Sequence, residues 1–584
     1  MNAQEGFQFN VLDEPWLHCL IPQGGHNGAT RRQDLGLRDA LYRAHDIVEI
    51  VDPSPLITIA VHRLLLAVLH RVYGPKDKDT WTTLWEQGRF DSARLDGYLS
   101  RPDIYPRFDL FDAERPFYQV GAIDPEYGGP IAKLTHEQAS TGNATLLFDH
   151  AGGAAAHGLT PAQAAAYLLA CQAFAVGGLI SYEKGQDPKI YKSAAAAPLV
   201  KSAVTLVRGQ TLFETLLLNL NRYDPAQQAR ASSSGGDLPA WERAAPPDAE
   251  RRYPTGYLDL LTWQARRIRL FPERDEQGRV VVRRAAIMKG HPFPDNYERR
   301  NDEPMVAFTH NDKATAGQDA NPPLGFREER ALWRDSLTLF QTAAKARQRP
   351  ATLDWLDRVG VKRQLRRKAL PLDAFGMRSD QAKVLAWRHE RLLLPLAYLD
   401  QENDDLFQSL GTALQLAEET ARAVRDSARK LAQMLIAVDS DHAGARVPQK
   451  GDVNALASSL GIERIYWSRL EEPFKKLLVD LPDIDDETGD EAEDEDAFDR
   501  HARVVLDGWA DTLRATAREA FDTAVNGLDT SARTLKAAAL ARRAHHSYVA
   551  KALGVYGRRR DQNDERHSGG EAAATDNQHV GVAL

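Results

Sequence analysis

In the last third of the chain, apolar residues recur at steps of three and four: Phe407, Leu410, Leu414, Ala417, Ala421, Val424, Ala428, Leu431 and Leu435. This spacing puts all of them on one stripe of a helix about eight turns long, and such a stripe must pack on a partner. Similar stripes run through 452–479, through 497–525 (Phe498, Ala502, Val505, Trp509, Leu513, Ala517) and, more weakly, through 530–553. Four long amphipathic helices joined by loops predict an antiparallel four-helix bundle.

Before this region the pattern is different. Up to about residue 377, short apolar runs alternate with Pro and Gly, as expected of many short strands and helices. Residues 54–72 read as a helix opened by Pro53 and Pro55, and 160–175 as one with Thr160 at the N-cap and Pro161 in the first turn. Residues 203–207, 280–282 and 305–308 read as strands, and 227–252, with its Ser/Gly and Pro-Pro stretches, as a surface loop. The expected fold class is α+β, a large mixed α/β N-terminal domain followed by a C-terminal four-helix bundle. The expected domains are 1–377, 378–556 and a disordered, polar tail over 557–584.

Composition narrows the compartment and the class. A chain of 584 residues exceeds one core, and 43% apolar residues can fill two. Cys19 and Cys171 are the only cysteines, which excludes a disulfide framework and a four-cysteine zinc site and points to the reducing cytoplasm. Residues 1–10 have no secretory character, and 57–72, interrupted by His62, Arg63, His70 and Arg71, read as a core helix, so no membrane is expected. The net charge is −8, but residues 480–499 hold twelve carboxylates and no Lys or Arg, so the rest of the chain is net positive. So dense a block reads as a solvated loop. Residues 345–368 carry nine Lys or Arg against Asp354 and Asp357, a density that suits either a phosphate backbone or a solvated basic face.

Signs of catalysis are scarce. No phosphate-binding G-x-x-x-x-G-K-[ST] loop occurs, and neither His136-Glu137 nor His389-Glu390 is followed by the second histidine of a zinc helix. His45-Asp46 has half the makings of a metal-dependent phosphohydrolase without further ligands at a recognisable spacing. The expectation is a non-enzyme with no metal and no cofactor. The alternative is a metal-dependent nuclease built around His45, Asp46 and the acidic loop.

The ordered motifs carry more. Phe9-Asn10-Val11-Leu12-Asp13-Glu14-Pro15-Trp16-Leu17 is followed by Ser54-Pro55-Leu56, by Phe108-Asp109-Leu110-Phe111 with Glu114-Arg115-Pro116-Phe117-Tyr118-Gln119, and by Val207-Arg208-Gly209. Asp259-Leu260-Leu261-Thr262-Trp263-Gln264 and the run from Arg327 to Arg334 come next. In this order they resemble the CasA family, the large subunit of the type I-E CRISPR Cascade surveillance complex, over about residues 7–556. Some members carry a cysteine cluster in the N-terminal domain; this chain does not.

The resemblance implies recognition of a protospacer-adjacent motif in double-stranded target DNA, with the remaining sequence read by base pairing to the CRISPR RNA. It implies as partners the backbone, handle-binding and small subunits of Cascade, and a helicase-nuclease recruited after R-loop formation. Four working parts are carried over. Ser140, Thr141, Gly142, Asn143 and Phe148 match a loop contacting the RNA handle and a neighbouring subunit, or form an ordinary turn with a core Phe. Gly177 and Gly178 match a loop against the minor groove, or Gly177 is a helix C-cap. Lys289 matches a lysine inserted in that groove, or is a plain surface lysine. Gln381, with Asp380 and Ala382, matches the tip of a wedge hairpin that starts strand separation; without the family, Ser379-Asp380 reads as the N-cap of a following helix.

Replacing residues 483–496 by a short Gly/Ser linker should leave the melting temperature nearly unchanged, because a solvated loop buries little surface. A thermal melt of the two chains checks this; a large loss of stability would mean that the acidic block is docked on a basic surface.

Overall fold

The computed structural model describes residues 6–24, 29–135, 158–224, 236–244, 246–315, 318–343, 346–380, 383–437, 448–483 and 495–575, of which 495–496 and 555–575 are described as backbone alone. It divides into two compact units, Met1–Gln401 and Glu402–Leu584. The α+β expectation holds, with a helical C-terminal unit.

The first unit is organised on α1 (Pro55–Tyr73), which starts as its sequence predicts, with Ser54 at the N-cap and Pro55 in the first turn. Every side chain from Leu56 to His70 is buried, so the helix lies within the core and has no solvent face. Its charges are therefore paired. Arg63 makes two hydrogen bonds to Glu303, at 2.8 and 2.9 Å, and Arg71 makes two to Glu242, at 2.7 and 2.9 Å. Among the described residues α1 is the one helix long and apolar enough to cross a membrane, and 89% of that stretch is buried inside the protein. The helix α2 (Pro161–Phe174), closed at its start by a capping box between Thr160 and Gln163, packs on α1.

Short antiparallel sheets surround this pair. Strand β1 (Leu17–Pro22) lies between β2 (Thr30–Leu35) and β3 (Glu49–Ile50). Further along, β4 (Gly129–Pro130) borders β9 (Val280–Lys289), which pairs with β8 (Arg266–Arg274), while β5 (Gly178–Leu179) pairs with β6 (Ser193–Ala194). A third three-stranded sheet has β12 (Ala369–Asp380) between β7 (Val204–Val207) and β13 (Lys383–Pro395), and β10 (Phe308–Thr309) pairs with β11 (Arg347–Gln348).

The second unit is a helical bundle: α3 (Asp404–Ala437), α4 (Lys450–Ser459), α5 (Ile462–Asp480), α6 (Glu495–Asn526) and α7 (Ala532–Thr575). The other four all pack on α3. The stripe from Phe407 to Leu431 is buried as its period predicts, and its alanines let neighbouring helices approach. Polar side chains lock the packing: Trp509 Nε1 donates to the Ala413 carbonyl at 2.9 Å and the Tyr466 hydroxyl to the Ala417 carbonyl at 3.0 Å. His545 lies 3.0 Å from Ser427 Oγ and stacks on Phe521.

Several expectations are corrected. The boundary expected at 377/378 would cut β12; the units divide after Gln401, because the hairpin of β12 and β13 is hydrogen-bonded to β7. The helix expected over 452–479 is two helices, interrupted at Gly461, whose φ of 64° is left-handed. The tail expected to be disordered from 557 continues as helix to Thr575, through Gly569 and Gly570, which disfavour helix. In the expected surface loop 227–252, Asp237 and Trp241 are buried: Asp237 accepts from the backbone N–H groups of Leu258 and Asp259 at 2.8 and 3.1 Å, and Trp241 Nε1 donates to the Tyr98 hydroxyl at 2.7 Å. Of the strand expected over 305–308, Phe308 alone enters a named strand, while Val306 bridges Val204.

Burial pushes His62 and His70 below the ordinary histidine value, His70 to about 3, although the hydrogen bonds that their Nδ1 atoms donate to the Thr58 and Gly74 carbonyls work the other way. His70 stays neutral in the folded state and takes up a proton near pH 6.5 when unfolded, so its stabilisation is complete above about pH 6.5 and lost as pH falls toward 3, and His62 acts in the same direction. Urea unfolding of the first unit within the full chain should lose about 1 kcal/mol through His70 for each pH unit below 6.5. A flat profile between pH 6.5 and 5 would contradict neutral burial.

Candidate nucleic-acid interface

The residues expected to read the motif come together in one corner of the first unit. Helix α2 ends at Phe174 with Ala175 as its cap, so Gly177 lies beyond the helix and is no C-cap. A Cβ on Gly177 would stand 2.9 Å from the Ala196 backbone nitrogen, and Gly178 has φ 140°, a region that L side chains rarely adopt. Both positions therefore demand glycine for local reasons, and leave the turn's backbone without a side-chain cover. Arg266, buried at the start of β8, holds the segment leading into this turn by donating to the carbonyls of Ala175 and Val176 at 3.3 and 2.8 Å. Gln172 ties α2 to the same strand, exchanging two hydrogen bonds of 2.9 Å with the Arg266 backbone.

Lys289 ends β9 in the same corner. Ser181 bridges Met288, and the Lys289 ammonium donates to the Ile190 carbonyl at 2.6 Å. Burial, with the nearby Arg251 charge, pulls Lys289 below the ordinary lysine value. Beside it Leu179 is 81% exposed and Ile190 49%, and Lys184, Lys189 and Lys192 are exposed on the segment between β5 and β6. These three lysines within nine residues were visible in the sequence as a cationic run; their clustering with the glycines was not.

The other candidates are on the hairpin. The chain after Asp380 forms a strand, not a helix: β12 and β13 pair from Ala369↔Pro395 to Asp380↔Lys383, which rules out the N-cap reading of Ser379-Asp380. Gln381 and Ala382, which lie in sequence between β12 and β13, are outside the described residues, as are Ser140, Thr141, Gly142, Asn143 and Phe148; Asp380 is exposed at the end of β12. Only residues 372–375 have β7 as a third strand, so 376–380 continue about 16 Å as a two-stranded ribbon. Gly376 sits where that ribbon leaves the sheet, and a Cβ there would collide with the Ser202 carbonyl oxygen.

Asp373 anchors the ribbon's base. Its side chain is 0% exposed, and it faces Arg391 (2.6 Å), His389 (3.1 Å) and Arg208 (3.4 Å); Arg208 in turn pairs with Glu49 of β3. Burial pushes the carboxyl up, but hydrogen bonds from His389 and Arg391 and the Arg208 charge outweigh it and hold Asp373 at about 2. On the other side of β13, Glu390 accepts from the Leu332 backbone at 2.7 Å and Arg388 donates to the Arg327 carbonyl at 2.8 Å.

The remaining candidates fare differently. Within the basic run 345–368, Arg349 is buried and donates to Asp354 and to the carbonyls of Phe340, Tyr398 and Leu399, so it serves as a strut, while Arg358, Lys362, Arg363, Arg366 and Lys368 stay exposed. His45 and Asp46 form an exposed pair at 3.6 Å, and among the described residues no group of three or more His, Cys, Asp or Glu is placed to hold a metal.

The sequence model of the CRISPR-associated protein Cse1 family matches residues 10–520. The chain belongs to the Cse1 (CasA) family. A Cse1 relative, CRISPR-associated protein CasA/Cse1 of Thermus thermophilus, is 34% identical over 547 residues, covering 91% of this chain and 95% of its own. The crystal structure of Cse1 from Acidimicrobium ferrooxidans matches with a TM-score of 0.72 at 27% identity, covering 94% of this chain and 99% of that one. A chain of a CRISPR RNA-guided surveillance complex shares the Cse1 fold at 22% identity with a TM-score of 0.68, over 93% of this chain and 99% of its own.

Asp373→Ala in this Cse1 chain should cost about 3 kcal/mol in urea unfolding, because it leaves buried Arg208 without its inner partner. Asp373→Asn, which keeps hydrogen-bonding capacity, should cost less. Equal, small losses would mean that the network does not hold the hairpin.

Proposed function

We propose that this chain is the non-catalytic large subunit of a type I-E Cascade, and that it inspects duplex DNA for a protospacer-adjacent motif and begins strand separation there. The observation that carries this reading is the β12–β13 hairpin, anchored at its base by Asp373 and without a third strand beyond Phe375. A hairpin braced at its base is suited to entering a duplex, since a wedge has to unstack a base step without itself bending. Gly177 and Gly178 allow backbone to approach a narrow groove, and Lys289 offers donors only, which suits the acceptors that predominate on minor-groove edges. For the lysine to reach DNA it must leave the Ile190 carbonyl, exchanging one acceptor for another.

In this reading the CRISPR RNA supplies sequence specificity, and the backbone, handle-binding and small subunits position the chain. The segment with Ser140, Thr141, Gly142, Asn143 and Phe148 meets the RNA handle, and a helicase-nuclease docks after R-loop formation. The site of action is the cytoplasm, where both foreign DNA and guide RNA are met.

Gln381→Ala should slow R-loop formation on linear duplex roughly tenfold, equivalent to about 1.4 kcal/mol of lost compensation for unstacking. A target already mismatched beside the motif should restore the rate. Lys289→Ala should instead lose motif discrimination on intact and mismatched targets alike. Wild-type rates for Gln381→Ala on linear duplex would remove the wedge assignment.

A further inference from the structure

The free edge of the ribbon has a feature that opening a duplex does not use. Strand β13 is the edge of its sheet, and Trp387, His389 and Arg391 lie at alternate positions on it, across from Met377, Phe375 and Asp373. The β12 members of these pairs are buried, at 2%, 2% and 0% exposure, whereas Trp387 is 38% exposed and the side chains of His389 and Arg391 are 38% and 49% exposed. The His389 ring is already stacked on Phe375, with centroids 4.5 Å apart and planes 2° from parallel, so its outer face is held flat toward solvent. Between Arg378 and Ser379 the register shifts, and Leu385 becomes the extra residue of a bulge, 51% exposed. Next to it Lys383 is exposed.

The result is a row of indole, imidazole and guanidinium, two residues apart, with an apolar side chain and an ammonium at its end toward the turn. Alternate residues of a strand are about 6.7 Å apart, twice the ~3.4 Å rise per base, so bases and side chains can alternate along the row. Flat groups interleaved with cations are how proteins hold single strands, because every base has a stackable face. We propose that this face of β13 is a stacking platform for the first nucleotides of the displaced DNA strand. Once the guide RNA has paired, the other strand's base faces are enclosed in the heteroduplex, and the displaced strand alone offers free ones. This inference rests on the reading of the ribbon as a wedge.

The test uses the complete RNA-guided complex on a guide-matched target already unpaired beside the motif, so that loading does not depend on the wedge. 5-Iodouracil is placed at each of the first positions of either strand, and cross-links are mapped by mass spectrometry. The expected result is a cross-link from the displaced strand to Trp387. Trp387→Ala should speed reannealing of that strand about tenfold, and Trp387→Phe should restore most of the lifetime, which a merely structural role would not separate. A cross-link to the guide-paired strand alone, or a stable R-loop with neither cross-link nor altered lifetime, overturns the platform. An unchanged opening rate for Gln381→Ala on intact duplex removes the wedge and leaves the cross-link to stand by itself. Failure of the complex to bind even the unpaired target removes the proposed function and the platform with it.

Discussion

A carboxylate without solvent in the middle of a β-strand persists only if cations compensate its lost hydration, and Asp373 meets that condition through Arg208, Arg391 and His389. The partners come from two places. Arg208 follows β7 and reaches to Glu49 in β3, while His389 and Arg391 belong to β13. One charge thus ties the base of the hairpin to two other parts of the unit. The compensated charge also makes the hairpin's register costly to change: a slip of one residue would turn Asp373 to the other face and leave Arg208 facing an apolar side chain. A ribbon of two strands is marginal by itself, so whatever it does near its turn depends on this anchor and on the bracing of β13 by Glu390 and Arg388.

The glycine corner follows the same logic with backbone groups in place of a carboxylate. The carbonyls of Ala175 and Val176, left over where α2 stops, are taken by Arg266, and Gln172 satisfies the Arg266 backbone. A turn whose own hydrogen bonds are supplied from behind can present unencumbered backbone in front. Next to it, an ammonium held by a single carbonyl has a partner it can exchange. Arginines used as internal struts, Arg63, Arg266 and Arg349 among them, also explain why counting basic residues along the chain overestimates the basic surface.

Much of the architecture was legible because it depends on neighbours in the chain. The period of the Phe407 to Leu431 stripe, the Ser54-Pro55 start of α1 and the Thr160-Pro161 start of α2 are local signals, and each element formed where its signal stood. The ordered motifs were likewise readable, since family membership is a property of the sequence. Of the candidate site, Gly177, Gly178 and Lys289 could be named in advance, but their meeting through the Ser181 to Met288 bridge could not.

By itself, then, the sequence determined the helical C-terminal unit, the two core helices and the family. Only the tertiary structure decided that the hairpin's second strand runs the whole way from Lys383 to Pro395, that Asp237 and Trp241 are buried, and that Arg349 is a strut. The segment from Lys383 to Pro395 holds four Leu and two Arg, residues compatible with helix, and it is extended because β12 supplies hydrogen-bond partners and Phe375 and Asp373 supply cross-strand contacts. Helix stripes and caps are specified within a few residues, whereas a strand, a buried ion pair and a stacking face are completed by residues far away in the chain, and their stability exists only once those residues have met.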